Sequence, residues 1–125
     1  MIEAYFRALL EAIAASPVAW APDVTLDQRG PRVGLIRGEV YFSDGSLLHF
    51  RELVELRTSA LRVMYSYHYQ RAEGTLVFRY DDTAHHPELA TFPQHKHIGD
   101  EATVVAATAP DLSAVLAEIA ALLLP

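Results

Sequence analysis

Between Val33 and Asp81 four runs alternate apolar and polar side chains: Val33 to Phe42, Leu47 to Leu56, Ala60 to Arg71 and Thr75 to Asp81. Alternation of period two places successive side chains on opposite faces of a strand. The breaks between runs are short. Ser43-Asp44-Gly45-Ser46 holds an Asp-Gly pair, the signal of a tight hairpin turn, and Glu73-Gly74 makes a second turn. Strands joined by such turns pair antiparallel, so the middle of the chain is constrained to a meander.

The flanks carry a different period. Ile2, Tyr5, Phe6, Leu9, Leu10 and Ile13 recur at helical spacing and Pro17 ends the pattern, so Ile2 to Ala15 is predicted as a helix. Ala19 to Pro22 reads as a connector, Asp23 to Gln28 as a weakly marked strand and Arg29-Gly30-Pro31 as a turn. Thr83 to Glu101, with Pro87 and Pro93, reads as a long irregular loop, and Thr103 to Ala107 as a short last strand. Thr108 to Asp111 opens a second helix, with Leu112, Val115, Leu116, Ile119 and Leu123 on its apolar face. The expected fold is α+β: a curved antiparallel sheet of five or six strands, flanked by an N-terminal and a C-terminal amphipathic helix, in one domain over residues 1–125.

Composition narrows the chemistry. Cysteine is absent, which removes disulfides and thiol nucleophiles and fits a reducing cytoplasm. No apolar run reaches the roughly 18 residues of a membrane span, and the first residues lack the basic segment of a signal peptide, so a cytoplasmic protein is expected. The formal charge of −6 opposes sequence-independent binding to phosphate backbones. Protonating all six histidines would cancel that charge, so association is expected to change below about pH 6.5. Asparagine is also absent, as in many thermostable chains.

The functional signal is histidine. Strand alternation puts His49, Arg51, His68, Gln70, Arg79 and Asp81 on the face opposite the aromatic rows. Glu52 falls in the apolar row and needs an Arg or Tyr partner there. The loop adds His85, His86, His95 and His97, four histidines within thirteen residues, and Lys96, the only lysine, lies between two of them. Three readings follow. Metal-independent acid–base chemistry on RNA would use His49, Arg51, His68, Arg79, His86, His95, Lys96 and His97, with one His as base, another as acid and Arg51 or Arg79 on the phosphate. A divalent metal site would use His85, His86, His95 and His97, since His-x-His on a strand is a common ligand pair. A small-molecule site could occupy the same residues. The third reading has the histidines capping loop backbone in a non-catalytic interaction protein, whose apolar end Leu122-Leu123-Leu124-Pro125 packs on a second copy as a homodimer. No cofactor other than such a metal is expected.

Four segments carry a family resemblance: Tyr41 to Glu52, Tyr65-Ser-Tyr-His-Tyr-Gln70, Phe78-Arg-Tyr-Asp81 and His85 to Asp100. Together they resemble the TumE-type toxin family of small bacterial and archaeal proteins, over roughly half the chain. The resemblance implies the toxin half of a toxin–antitoxin pair, with a small DNA-binding antitoxin as partner. An RNA substrate is an analogy with other such toxins, and no catalytic residue is carried over from the family.

Overall fold

A computed structural model describes residues 1–57 and 60–125. Helix α1 (Ile2–Ala15) leads into strands β1 (Ala19–Gln28), β2 (Val33–Phe42), β3 (Leu47–Leu56), β4 (Ala60–Gln70), β5 (Leu76–Asp81), β6 (His95–Ile98) and β7 (Val104–Ala106), and helix α2 (Leu112–Leu123) follows. All seven strands form one sheet in chain order, each antiparallel to its neighbours. The α+β meander is as expected; the strand count is higher by one or two.

A longer β1, in place of the expected connector at Ala19 to Pro22, and the unexpected β6 have local causes. β1 begins at Ala19 and not at Asp23, because its pairing with β2 skips Ala21 and Pro22 and resumes at Asp23 opposite Glu39. Ala21 takes a φ of +43° there, and Pro22 has no N–H to give a ladder. β6 lies inside the stretch expected to be irregular. Its His-Lys-His-Ile sequence has no apolar alternation, and it is a strand because β5 supplies a partner: Phe78 faces Ile98, Arg79 faces His97, Tyr80 faces Lys96 and Asp81 faces His95.

Both helices pack on one face of the sheet. Ile36, Val40, Leu48, Phe50, Val54, Tyr67, Tyr69 and Phe78 meet Ile2, Leu9 and Ile13 of α1 and Leu112, Val115, Leu116 and Ile119 of α2. Gly38 lets β2 pass close beneath Phe50, since a Cβ there would sit 2.4 Å from the ring. Asp111 caps α2 by accepting from the Ala114 N–H at 2.8 Å. Among the described residues no helix is long and apolar enough to cross a membrane.

Glu52 lies in this core at 0 % exposure. It is satisfied there as its position demands, by hydroxyls of Tyr5 and of Tyr67, the latter at 2.6 Å. Arg62 donates in turn to the Tyr67 hydroxyl at 2.8 Å and to the Pro110 carbonyl just before α2. Burial first, and then the Glu52 carboxylate, push the Tyr5 and Tyr67 phenols well above their usual range, so both remain donors. The network joins α1, the sheet and the approach to α2. Tyr67→Phe leaves one carboxylate oxygen short of a buried donor and should cost about 1–3 kcal/mol; urea unfolding at neutral pH measures it, and an unchanged midpoint would contradict this account of Glu52.

Candidate functional site

Among the described residues, no helix lies on the other face of the sheet. Register lays two rows of side chains across it. One runs Arg37, Arg51, Ser66, Asp81, His95 and Ala106; the adjacent one runs Glu39, His49, His68, Arg79, His97 and Val104. Neighbours within a row lie on adjacent strands with Cβ atoms about 5 Å apart. After β5, residues 82–94 fold back over the rows and roof the end at β5 and β6. The result is a cleft of about 500 Å³ lined by Arg51, Met64, Tyr65, Ser66, Arg79, Asp81, Thr83, His85, His86, His95, His97 and Glu101.

Asp81 is the centre of the cleft floor, at 6 % exposure. Its Oδ1 accepts from the Thr83 N–H at 3.1 Å and the Thr83 hydroxyl at 2.6 Å, which turns the chain out of β5. Its Oδ2 accepts from Arg79 Nε at 3.2 Å. Burial pushes the carboxyl up, but the Thr83 hydrogen bonds and then the charges of His95 and Arg79 outweigh it, holding Asp81 below the usual carboxylate range and ionised.

His95 and His97 lie one above the other on β6, with ring centroids 5.0 Å apart. Each has Nδ1 on a backbone carbonyl: His95 on Pro93 O at 2.9 Å, His97 on Glu101 O at 2.9 Å. A carbonyl only accepts, so both Nδ1 atoms carry hydrogen and donate. Both Nε2 atoms are thereby turned toward Asp81, at 2.8 Å from Oδ1 for His95 and 3.7 Å from Oδ2 for His97. The 2.8 Å contact joins a ring nitrogen to an ionised, accept-only oxygen. A proton or a cation has to lie between them.

His86 stands at the cleft mouth, its ring 5.1 Å from His95 and 6.1 Å from His97, with Nδ1 at 3.3 Å from Glu88. His85 is exposed at the rim. Arg79 is held by Asp81 and by Glu101. Arg51 is exposed and makes no ion pair among the described residues, and Arg37 faces it directly across the β2–β3 ladder in the same state.

The expected site residues thus separate. Arg51, Arg79, His86, His95 and His97 come together in the cleft. His49 and His68 share the open face but sit further along it: His49 pairs with Glu39 at 3.4 Å and lines a shallower depression with Arg37 and Arg51, while His68 bonds Gln70 at 3.1 Å. Lys96 is not in the cleft. Alternation puts it on the helix side of β6, where it bridges to Glu118 of α2 at 2.7 Å and lies over the Tyr80 ring. Of the four histidines expected as metal ligands, His95 and His97 converge, and the third group that converges with them is Asp81, with one ligand atom from each residue within 4.8 Å of the others. This group could bind a metal ion. Asp81 was legible as a side chain of this face but not as its centre, and nothing in its local sequence singles it out.

A family model described as Toxin TumE matches residues 9–123, which takes in the second half of α1, all seven strands and the whole of α2. No curated protein and no solved structure matches the chain.

His68 has its pKa held below the usual histidine range, by burial first and then by Arg79 and His49. The unfolded chain therefore takes up this proton at a higher pH than the folded one, and His68 subtracts stability as pH falls below about 6.5. His68→Gln should lose less thermal stability than the parent between about pH 7.5 and 5.5. Equal losses in paired melting curves would refute the assignment.

Proposed function

Because the chain belongs to the TumE toxin family, we propose that it is the toxin of a toxin–antitoxin pair and that it cleaves RNA in the cleft over β4, β5 and β6. The observation that carries this reading is the juxtaposition of an uncommitted guanidinium, Arg51, with three imidazoles and a buried carboxylate in one open cleft. A phosphodiester needs a cation on its non-bridging oxygens and groups able to exchange protons at the attacking and leaving oxygens. Arg51 supplies the first, with Arg37 beside it for a neighbouring phosphate. Arg79 is a weaker candidate, because Asp81 and Glu101 already hold it. Proton exchange falls to His86, whose ring no backbone carbonyl fixes, while Asp81, His95 and His97 form a fixed polar group at the floor. His49, His68 and Lys96 take no direct part. The partner is a small antitoxin that silences the toxin, as the family implies.

The alternative, a protein without catalysis whose histidines cap backbone, is favoured by one observation: His95 and His97 do bond carbonyls through Nδ1. It leaves the clustering of the Nε2 atoms and of His86 unexplained. Expression in a bacterium that lacks the antitoxin decides between them. Growth arrest with loss of intact RNA is expected from the parent, and Arg51→Ala or His86→Ala should relieve it by at least about tenfold in surviving cells at equal soluble expression, as for loss of a charged contact worth about 1.4 kcal/mol or more. Normal growth at high soluble expression of the parent would overturn the toxin reading. Arrest that both variants retain would take the cleft out of it.

A further inference from the structure

We infer that Asp81, His95 and His97 form a binding site for one first-row divalent transition-metal ion such as zinc or manganese, open to the cleft. The site deepens the toxin reading by giving the cleft floor a cofactor, but metal binding itself does not depend on that reading.

Four observations carry it. First, the donor set is two imidazole nitrogens and one carboxylate oxygen within 4.8 Å of one another. Mixed nitrogen and oxygen donors suit zinc, manganese, iron, cobalt or nickel, whereas magnesium and calcium take oxygen shells. Second, both rings are already oriented as ligands. A histidine that ligates through Nε2 characteristically donates its other ring N–H to a carbonyl or carboxylate, which fixes tautomer and angle. Pro93 O and Glu101 O do this for His95 and His97, each at 2.9 Å. Two adjacent histidines need not share that arrangement if their role is backbone capping alone, because either ring nitrogen would serve.

Third, the site is buried on the floor side and open on the other. Asp81, His95 and His97 are 6 %, 2 % and 6 % exposed, yet all three line the cleft. Three protein ligands with an open side are the pattern of a catalytic ion, which keeps a position for water or substrate. Fourth, the ligand carboxylate is itself held in place. Thr83 holds Asp81 Oδ1, and Arg79, itself tied to Glu101, holds Oδ2. The 2.8 Å contact sets His95 Nε2 and Asp81 Oδ1 side by side, where one cation could be held by both. The same cation would be within reach of His97 Nε2, which lies 3.7 Å from Asp81 Oδ2. His86, 5.1 Å from His95 ring to ring, remains outside as the group that meets a ligand on the ion's open side.

The test uses the full chain purified without a histidine tag and stripped with chelator. Cobalt(II) is titrated in, followed by its visible absorption, with zinc as competitor and the melting temperature as a second readout. One cobalt per chain, displaced by zinc, with a raised melting temperature, is expected. Asp81→Asn and His97→Ala should each weaken binding by about 10–100-fold or more, and His49→Ala, outside the cleft, should leave it unchanged. Because Asp81 also ends β5, the decisive variant is His97→Ala, judged on protein whose circular dichroism matches the parent. No binding by the parent, or parent-like binding by folded His97→Ala, would overturn the site. Nitrogen-15 chemical shifts of the stripped protein add an independent arm: Nε2 signals of His95 and His97 that move on adding zinc support the site, and signals unaltered by zinc overturn it. A chain that arrests growth yet binds no metal removes this inference and leaves the toxin reading standing; one that binds metal without arresting growth does the reverse.

Discussion

The cleft exists because of hydrogen-bond register between β4, β5 and β6. Side chains change face with every residue, so a slip of one position anywhere in these ladders would bury Arg79 among the core aromatics and send Tyr80 into solvent. Three features pin the register. The aromatic row Tyr65, Tyr67, Tyr69, Phe78 and Tyr80 packs ring against ring on the helix side, with successive centroids 5.3 to 5.6 Å apart across the Tyr65–Tyr67, Tyr69–Phe78 and Phe78–Tyr80 pairs. Lys96 ties β6 to α2 through Glu118, and Gly99 turns the chain into β7 at a φ of +76°. The chemistry of one face is thus held by the packing of the other.

Glu52 belongs to the same argument. A carboxylate in an apolar row is costly unless its oxygens are donated to, and the donors come from α1 and β4. With Arg62 reaching on to Pro110, the approach to α2 is tied to the same point. A purely apolar residue at position 52 would pack without specifying which helix face or which strand offset meets it. Two directed hydrogen bonds accept only one arrangement.

What was legible in the sequence was what period and turn chemistry encode. Val33 to Phe42, Leu47 to Leu56 and the Asp44-Gly45 turn carry their own instructions, as does α1 up to Pro17. The face shared by Arg51, Arg79 and Asp81 followed from counting. β6 was illegible because His95 to Ile98 has no apolar side to alternate; it is a strand because β5, separated from it by residues 82–94, and β7 pair with it. Lys96 was misplaced for a related reason. Its neighbours in sequence are the cleft histidines, but neighbours in a strand point apart, and the same alternation that pairs His95 with His97 sends the lysine to α2. The role of Asp81 was hidden because centrality is a property of three strands at once.

A net charge of −6 is a poor start for a protein that would act on RNA. The open face resolves the difficulty only in part. Asp81 and Glu101 neutralise Arg79, and Glu39 lies beside His49, so among the described residues the free cations near the cleft come down to Arg37 and Arg51. They face each other across one ladder, an arrangement that repels without an anion between them. Two charges give a weak grip and a shallow salt dependence. A bound divalent ion would change that balance more than any side chain present, adding two positive charges at the floor beneath the same cleft. Substrate phosphate and metal would then strengthen each other's binding by an equal factor, since coupling between two ligands is reciprocal. An acidic chain with such a cleft would hold phosphate only where ion and guanidinium act together, so selectivity for one bound backbone segment could coexist with a surface that repels nucleic acid elsewhere.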